Sequence, residues 1–96
     1  MISTEMKKQR NDYMERFRKI LSEKYDSCLL GDNEFYKCKN GGYFQVNFLP
    51  GEAALVIEYA ESANAALQNQ LEDGDSFYID DMPEDELFAN MLKEIG

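Results

Sequence analysis

The sequence predicts an α+β fold: an N-terminal amphipathic helix, an antiparallel β-meander of three to four strands, and two C-terminal helices, all in one domain over residues 1–96. Three observations predict it. Apolar residues recur at helical spacing over 4–24. The pattern then changes to short alternating runs separated by turns rich in glycine and asparagine. Good helix formers return after Ser62. Strands joined by turns this short pair antiparallel, and helices grouped before and after a sheet mark the α+β class, here with the helices expected on one sheet face.

The first helix, 4–24, places Met6, Tyr13, Phe17, Ile20 and Leu21 on one stripe, with Lys7, Lys8, Glu15, Arg18 and Lys19 mostly on the other faces. Ser3 or Thr4 supplies the N-terminal cap, and Tyr25-Asp26 ends the helix. A short apolar strand follows at 27–30, then turn chemistry at Gly31-Asp32-Asn33 and an aromatic strand at 34–39. Asn40-Gly41-Gly42 is a hairpin turn, because these residues tolerate positive φ. In the next strand, 43–49, Phe44, Val46 and Phe48 point one way and Tyr43, Gln45 and Asn47 the other. After Pro50-Gly51, a strand at 54–59 sets Leu55 and Ile57 on one face.

Ser62 caps a second helix over 63–71, and Gly74 stops it. A short extended piece at 76–79 is an edge-strand candidate. Asp81 and Glu84 have capping-box spacing, and Pro83 suits a first helical turn. Leu87, Phe88, Met91, Leu92 and Ile95 form the last helix's stripe, with Lys93 near the C-terminal end of its dipole.

Charge is distributed unevenly over this frame. Residues 1–24 carry net +3, residues 25–50 net −1 and residues 51–96 net −11, for a total of −9. Between Asn40 and Leu92 there are eleven carboxylates and no lysine or arginine. Such a field repels nucleic acid and anionic membrane and attracts a basic partner. The interrupted basic run of the first helix, with Glu5, Asp12, Glu15 and Glu23 among its cations, reads as charge balance rather than a nucleic-acid footprint. With 44% hydrophobic residues and twelve aromatics, the chain has the material for a core and lies outside the disordered class.

Several chemistries lack their residues. There is no histidine, and so neither the usual general base nor the commonest metal ligand. Cys28 and Cys38 have no histidine to activate them. The N-terminus has no apolar signal region, and no run approaches membrane length. These features set the expectation of a cytoplasmic protein with two reduced thiols, a hairpin disulfide being the lesser alternative. Asp73-x-Asp75 hints at calcium, but the third ligand, the glycine and the glutamate of an EF-hand loop are missing. Gly41-Gly42 opens no helix, so it is not a phosphate-binding loop. No catalytic residue, metal or cofactor is expected.

The positive candidate is the acidic run. Glu72, Asp73, Asp75, Asp80, Asp81, Glu84, Asp85 and Glu86 place eight carboxylates within fifteen residues, with Phe77, Tyr78 and Ile79 in their midst. An aromatic anchor ringed by charge suits an interface, so the expected partner-binding residues are Asp73, Asp75, Phe77, Tyr78, Asp80, Asp81, Glu84, Asp85 and Glu86. The bland reading is a solvated turn and an ordinary acidic helix start. A second candidate is the sheet row Tyr43, Gln45 and Asn47, extended by Tyr36 or Tyr59.

Three segments carry a resemblance: Leu-Val-Ile-Glu-Tyr-Ala-Glu-Ser at 55–62, Leu-Glu-Asp-Gly-Asp-Ser-Phe-Tyr at 71–78 and Asp-Met-Pro-Glu-Asp-Glu-Leu-Phe at 81–88. In general texture the second half of the chain resembles the small acidic immunity proteins that accompany polymorphic toxins of Gram-positive bacteria. The resemblance implies an α+β domain that inhibits a toxin by covering its active site or substrate groove. The resulting expectation is a non-enzymatic inhibitor of a basic partner protein, a toxin or a nuclease. The alternative is a phage-encoded inhibitor of a host defence nuclease, including anti-CRISPR proteins and DNA mimics. A third class is a self-associating domain that dimerises through the first helix.

Overall fold

The computed structural model of the chain describes residues 2–96. Its elements run α1 (Thr4–Lys24), β1 (Ser27–Leu30), β2 (Asn33–Lys37), β3 (Tyr43–Phe48), β4 (Ala54–Ala60), α2 (Ala63–Leu67), β5 (Glu72–Tyr78) and α3 (Glu84–Ile95). The fold is α+β, with five strands rather than three to four. They form one antiparallel sheet in the order β1-β2-β3-β4-β5, so every strand pairs with its neighbour in sequence.

α1 starts where Ser3 Oγ accepts the Met6 N–H at 3.2 Å, satisfying one of the free amides of the first turn. Met14, Phe17 and Leu21 are its buried residues, three and four positions apart on one face. The Phe17 ring lies 5.1 Å from that of Phe88 on α3, and Tyr13 meets Phe88 edge-on at 5.8 Å. Beneath them the sheet contributes Tyr36, Phe44, Val46, Leu55 and Ile57 to the same core cluster.

The helices do not all lie on one face. In the register, Tyr36 pairs with Phe44 and Phe44 with Tyr59, so these residues share the face covered by α1 and α3. The opposite parity puts Phe35 and Ala60 on the second face, where Ala66 of α2 covers them in a separate, smaller cluster. The two helices of the second half of the chain thus go to opposite sides. The small residues Ala65 and Ala66 suit the close approach over Ala60.

α2 is shorter than its helix-forming sequence suggests. Ser62 Oγ accepts the Ala65 N–H at 3.1 Å, as expected of a cap. The helix nevertheless ends at Leu67, and Asn69 takes φ 57°. Asparagine tolerates this left-handed conformation and can terminate a helix as glycine does. Gly74 therefore lies inside β5 instead of stopping α2. At the start of α3 the capping box does not form: Pro83 occupies the N-cap position with no side-chain hydrogen bond. Glu84 is drawn instead to Arg16 of α1. The two cysteines are free. Cys28 packs with the Phe35 cluster and Cys38 with the main core, on opposite sides of the sheet.

β5 is an edge strand with a bulge. Val56 pairs with Ser76 and Glu58 with Asp73, so two residues of β5, Gly74 and Asp75, oppose Ile57 alone. Glu94 of α3 reaches over this irregularity, and its Oε1 accepts the Asp75 N–H at 3.0 Å. A Cβ on Gly74 would stand 2.8 Å from both the Ile57 carbonyl oxygen and the Tyr59 ring. Gly74→Ala is therefore expected to lower stability by about 1–3 kcal/mol through overpacking against backbone. Urea denaturation followed by far-UV circular dichroism measures this, and an unchanged midpoint would contradict the close approach.

Next to the bulge, burial is the first cause pushing the Tyr59 hydroxyl up to about 12, and the negative charge of Glu94 adds to it. A folded-state value above the ordinary one near 10 means that the unfolded chain loses its proton first. The contribution to stability is complete below about pH 10 and is lost as pH rises toward 12. Tyr59→Phe should flatten the fall in stability across that interval. Thermal melts of both proteins from pH 9 to 12 provide the check, about the range in which tyrosine titrates.

Candidate partner-binding surface

The second sheet face is built by strand alternation. The β3–β4 and β4–β5 registers align Gln45 with Glu58 and Glu58 with Asp73, a row of polar side chains across three strands. The adjacent row is Asn47, Val56 and Ser76, and the next sets Ala54 beside Tyr78. Neighbouring strands lie about 4.8 Å apart, so these rows are contiguous: Gln45, Val56 and Ala54 are buried between their neighbours, Asn47 and Glu58 are half-buried, and Asp73, Ser76 and Tyr78 on β5 are exposed. α2 reaches only the Phe35–Ala60 end of this face.

Glu58 is the centre of this surface. Its Oε1 accepts the Gln45 amide at 3.2 Å and also the Asn47 amide. The paired donors hold the carboxylate in one orientation and leave its second oxygen without a hydrogen-bond donor from them. Directly across the β4–β5 ladder stands Asp73, which is exposed. Like charges directly opposite each other on one face destabilise a sheet. Among the described residues the only ion pair is Arg16–Glu84, on the helical side. Among the described residues no cation is paired with Glu58 or Asp73, whose facing charges are offset only by the two amides that hold Glu58.

The expected site residues divide. Asp73, Asp75, Tyr78, Asp80, Asp81, Asp85 and Glu86 are exposed, along β5, the turn after it and the first turn of α3. Glu84 is half-buried and tied to Arg16, so it is not a free charge. Phe77 is half-buried and packs into the main core opposite Leu55, which removes it from the surface. Tyr78, one position on, points to the other face and is 39% exposed. Ile79 is buried. The tyrosine-row expectation needs a similar correction. Gln45 and Asn47 lie on the second face, but Gln45 is buried and Asn47 half-buried, Tyr36 and Tyr59 belong to the core side, and Tyr43 is half-buried against the Phe35 cluster. Sequence reasoning missed Glu58. The available signal was its place between Val56 and Ala60, opposite in parity to the core residues Leu55 and Ile57.

Other groups contribute less. Asp73 and Asp75 sit in a strand rather than a ligand loop, and among the described residues no group of three or more His, Cys, Asp or Glu is arranged to hold a metal ion. A depression of about 890 Å³ at the β2–β3 turn end is lined in part by Cys38, Tyr59 and Asn69. Burial raises the Cys38 thiol, the opposite of what a nucleophilic thiolate requires. Among the described residues no helix is long and apolar enough to cross a membrane.

Comparison with protein-family models, with curated proteins and with solved structures finds no match to this chain. What the surface offers is an oriented carboxylate, one exposed aromatic and negative charge that is not paired with a cation among the described residues. Asp73→Asn is expected to raise stability by a few tenths of a kcal/mol, up to about 1, by removing the cross-strand repulsion. Chemical denaturation tests this. A loss of stability would mean that Asp73 already has a compensating partner within the fold.

Proposed function

We propose that the protein is a small, non-enzymatic inhibitor that binds a basic site on a partner protein and blocks it sterically and electrostatically. A cognate bacterial toxin is the preferred partner, in keeping with the resemblance to immunity proteins. The observation that carries this reading is the Glu58–Asp73 pair across the β4–β5 ladder, followed along the chain by the exposed carboxylates of the turn after β5. Repulsion retained within a fold is relieved when a cationic side chain arrives, so the partner's lysine or arginine recovers free energy that the isolated chain lacks. Tyr78 supplies the aromatic contact, and the net charge of −9 steers a basic partner toward the chain.

The alternative, mimicry of DNA toward a defence nuclease, is supported by the linear run of carboxylates along β5. The magnitudes disfavour it. Seven residues of strand span roughly 20 Å, over which duplex DNA carries about twelve phosphate charges. β5 carries three carboxylates, Glu72, Asp73 and Asp75. This density suits a compact protein contact better than a nucleic-acid replica.

Charge reversal at Asp73, Asp80 and Asp81 together should slow association with the partner by about tenfold or more and reduce its salt dependence, with a smaller effect on dissociation. Tyr78→Ala should act mainly on dissociation. Surface-capture kinetics at two ionic strengths, using the basic protein retained from native lysate, measure both. Unchanged affinity in the charge-reversed protein would sink the electrostatic reading. Competition of the captured partner by duplex DNA would favour the nuclease alternative.

A further inference from the structure

On the other side of the sheet, the outer surfaces of α1 and α3 form a groove of about 660 Å³. Its floor is apolar: Ile20, Phe88 and Leu92, with the exposed Ala89 beside them. Its two walls differ in sign. The α1 wall carries Arg16, Lys19 and Lys24 against a single Glu23, net +2. The α3 wall carries Glu84 and Asp85, net −2. Arg16 and Glu84 neutralise each other across the groove, which leaves the exposed Lys19, Glu23 and Lys24 on one side, net +1, and Asp85 on the other, net −1.

A partner for this groove must present an apolar strip flanked by a negative wall where the chain is positive and a positive wall where it is negative. A second copy meets that requirement by symmetry. A two-fold axis laid along the groove turns the α1 wall of one copy onto the α3 wall of the other, and the same operation supplies the reciprocal contact. Any other symmetric facing would set like walls together. A uniformly basic partner of the kind proposed for the sheet face would be repelled by the α1 wall.

We propose that this groove is a self-association surface, in which two copies of the chain dock through α1 and α3 about such an axis. Floor residues Ile20, Phe88 and Leu92 meet their counterparts, and Lys19 and Lys24 of each copy face Asp85 of the other. The net charge of −9 on each copy opposes association at long range. At physiological ionic strength the screening length is about 8 Å, so the groove's short contacts outweigh charge on the far side of the sheet. The sheet face with Glu58 and Asp73 stays outward on both copies, and of the exposed carboxylates assigned to partner binding only Asp85 takes part in the groove.

The test uses two variants altered at exposed side chains: Lys19→Glu with Lys24→Glu, which makes both walls negative, and Asp85→Lys, which makes the α3 wall neutral or positive. Sedimentation equilibrium of the intact wild-type chain, over a dilution series reaching millimolar protein, should give twice the chain mass at the upper end. Each variant alone should associate more weakly by about tenfold or more, because every substitution acts at two symmetry-related contacts. An equimolar mixture of the two variants should recover the dimer, since each negative α1 then faces a positive α3 and each positive α1 a negative α3. A wild-type chain that stays monomeric throughout overturns the proposal. So does a mixture that associates no better than its components. Neither outcome bears on partner binding by the sheet face, which is measured with a different protein.

Discussion

The fold depends on placing one apolar stripe of α1 against one face of a twisted sheet. Phe17 and Leu21 are completely buried there, with Met14 nearly so. Truncating a buried phenylalanine to alanine typically costs about 3–5 kcal/mol, against a total stability of about 5–15 kcal/mol for a domain of this kind. The contact around Phe17 therefore accounts for a large share of the margin. It also fixes the sheet's register. With Phe44, Val46, Leu55 and Ile57 committed to α1, the intervening residues Gln45, Asn47 and Glu58 have only the other face available. A slip of one position would expose the core set and bury a carboxylate. The acidic surface follows from the hydrophobic one by strand geometry.

The two signs of charge are also used differently. The three arginines of α1 are engaged within the molecule. Arg10 lies 4.2 Å over the Phe48 ring and donates to the Glu52 carbonyl at 3.0 Å. Arg16 holds Glu84, and Arg18 donates to the Val46 carbonyl at 3.3 Å. That last contact falls where β2 has already parted from β3, whose shared register covers only Tyr36–Phe44 and Lys37–Tyr43. Guanidinium groups thus satisfy backbone that the short pairing leaves open. Among the described residues the side chains of Asp73, Asp80, Asp81, Asp85 and Glu86 have no such partner. The three arginines thus support the fold, as do Glu58, Glu84 and Glu94, whereas these five exposed carboxylates do not.

What could be read in advance depended on whether local pattern or distant pairing decided the outcome. α1, β3 and β4 were legible because their periodicities of 3.6 and 2 are unbroken over many residues. The stretch from Gln68 to Asp75 has no such period. Its conformation is decided by the long-range ladder to β4 and by Glu94, which explains why a glycine in a bulge resembled the end of a helix. The same ladder decides that Phe77 turns inward and Tyr78 outward, a choice invisible in a run of three apolar residues. Asp81 and Glu84 had the spacing of a cap, yet Glu84 is held by an arginine 68 positions away. The cluster of carboxylates was evident from composition. Its most informative member, Glu58, became evident only when the register set it beside Asp73.

The bulge in β5 has a consequence for life at high concentration. An exposed edge strand offers a row of unpaired amides and carbonyls on which another chain can grow, the route to domain swapping and fibrils. In this chain the bulge interrupts the ladder at Gly74 and Asp75, Glu94 already occupies the Asp75 amide, and flanking carboxylates line the strand. Growth from that edge would have to displace an internal hydrogen bond and bring like charges together. An edge interrupted in this way is a poor template for polymer, and the three carboxylates within its seven residues add like-charge repulsion to the same effect.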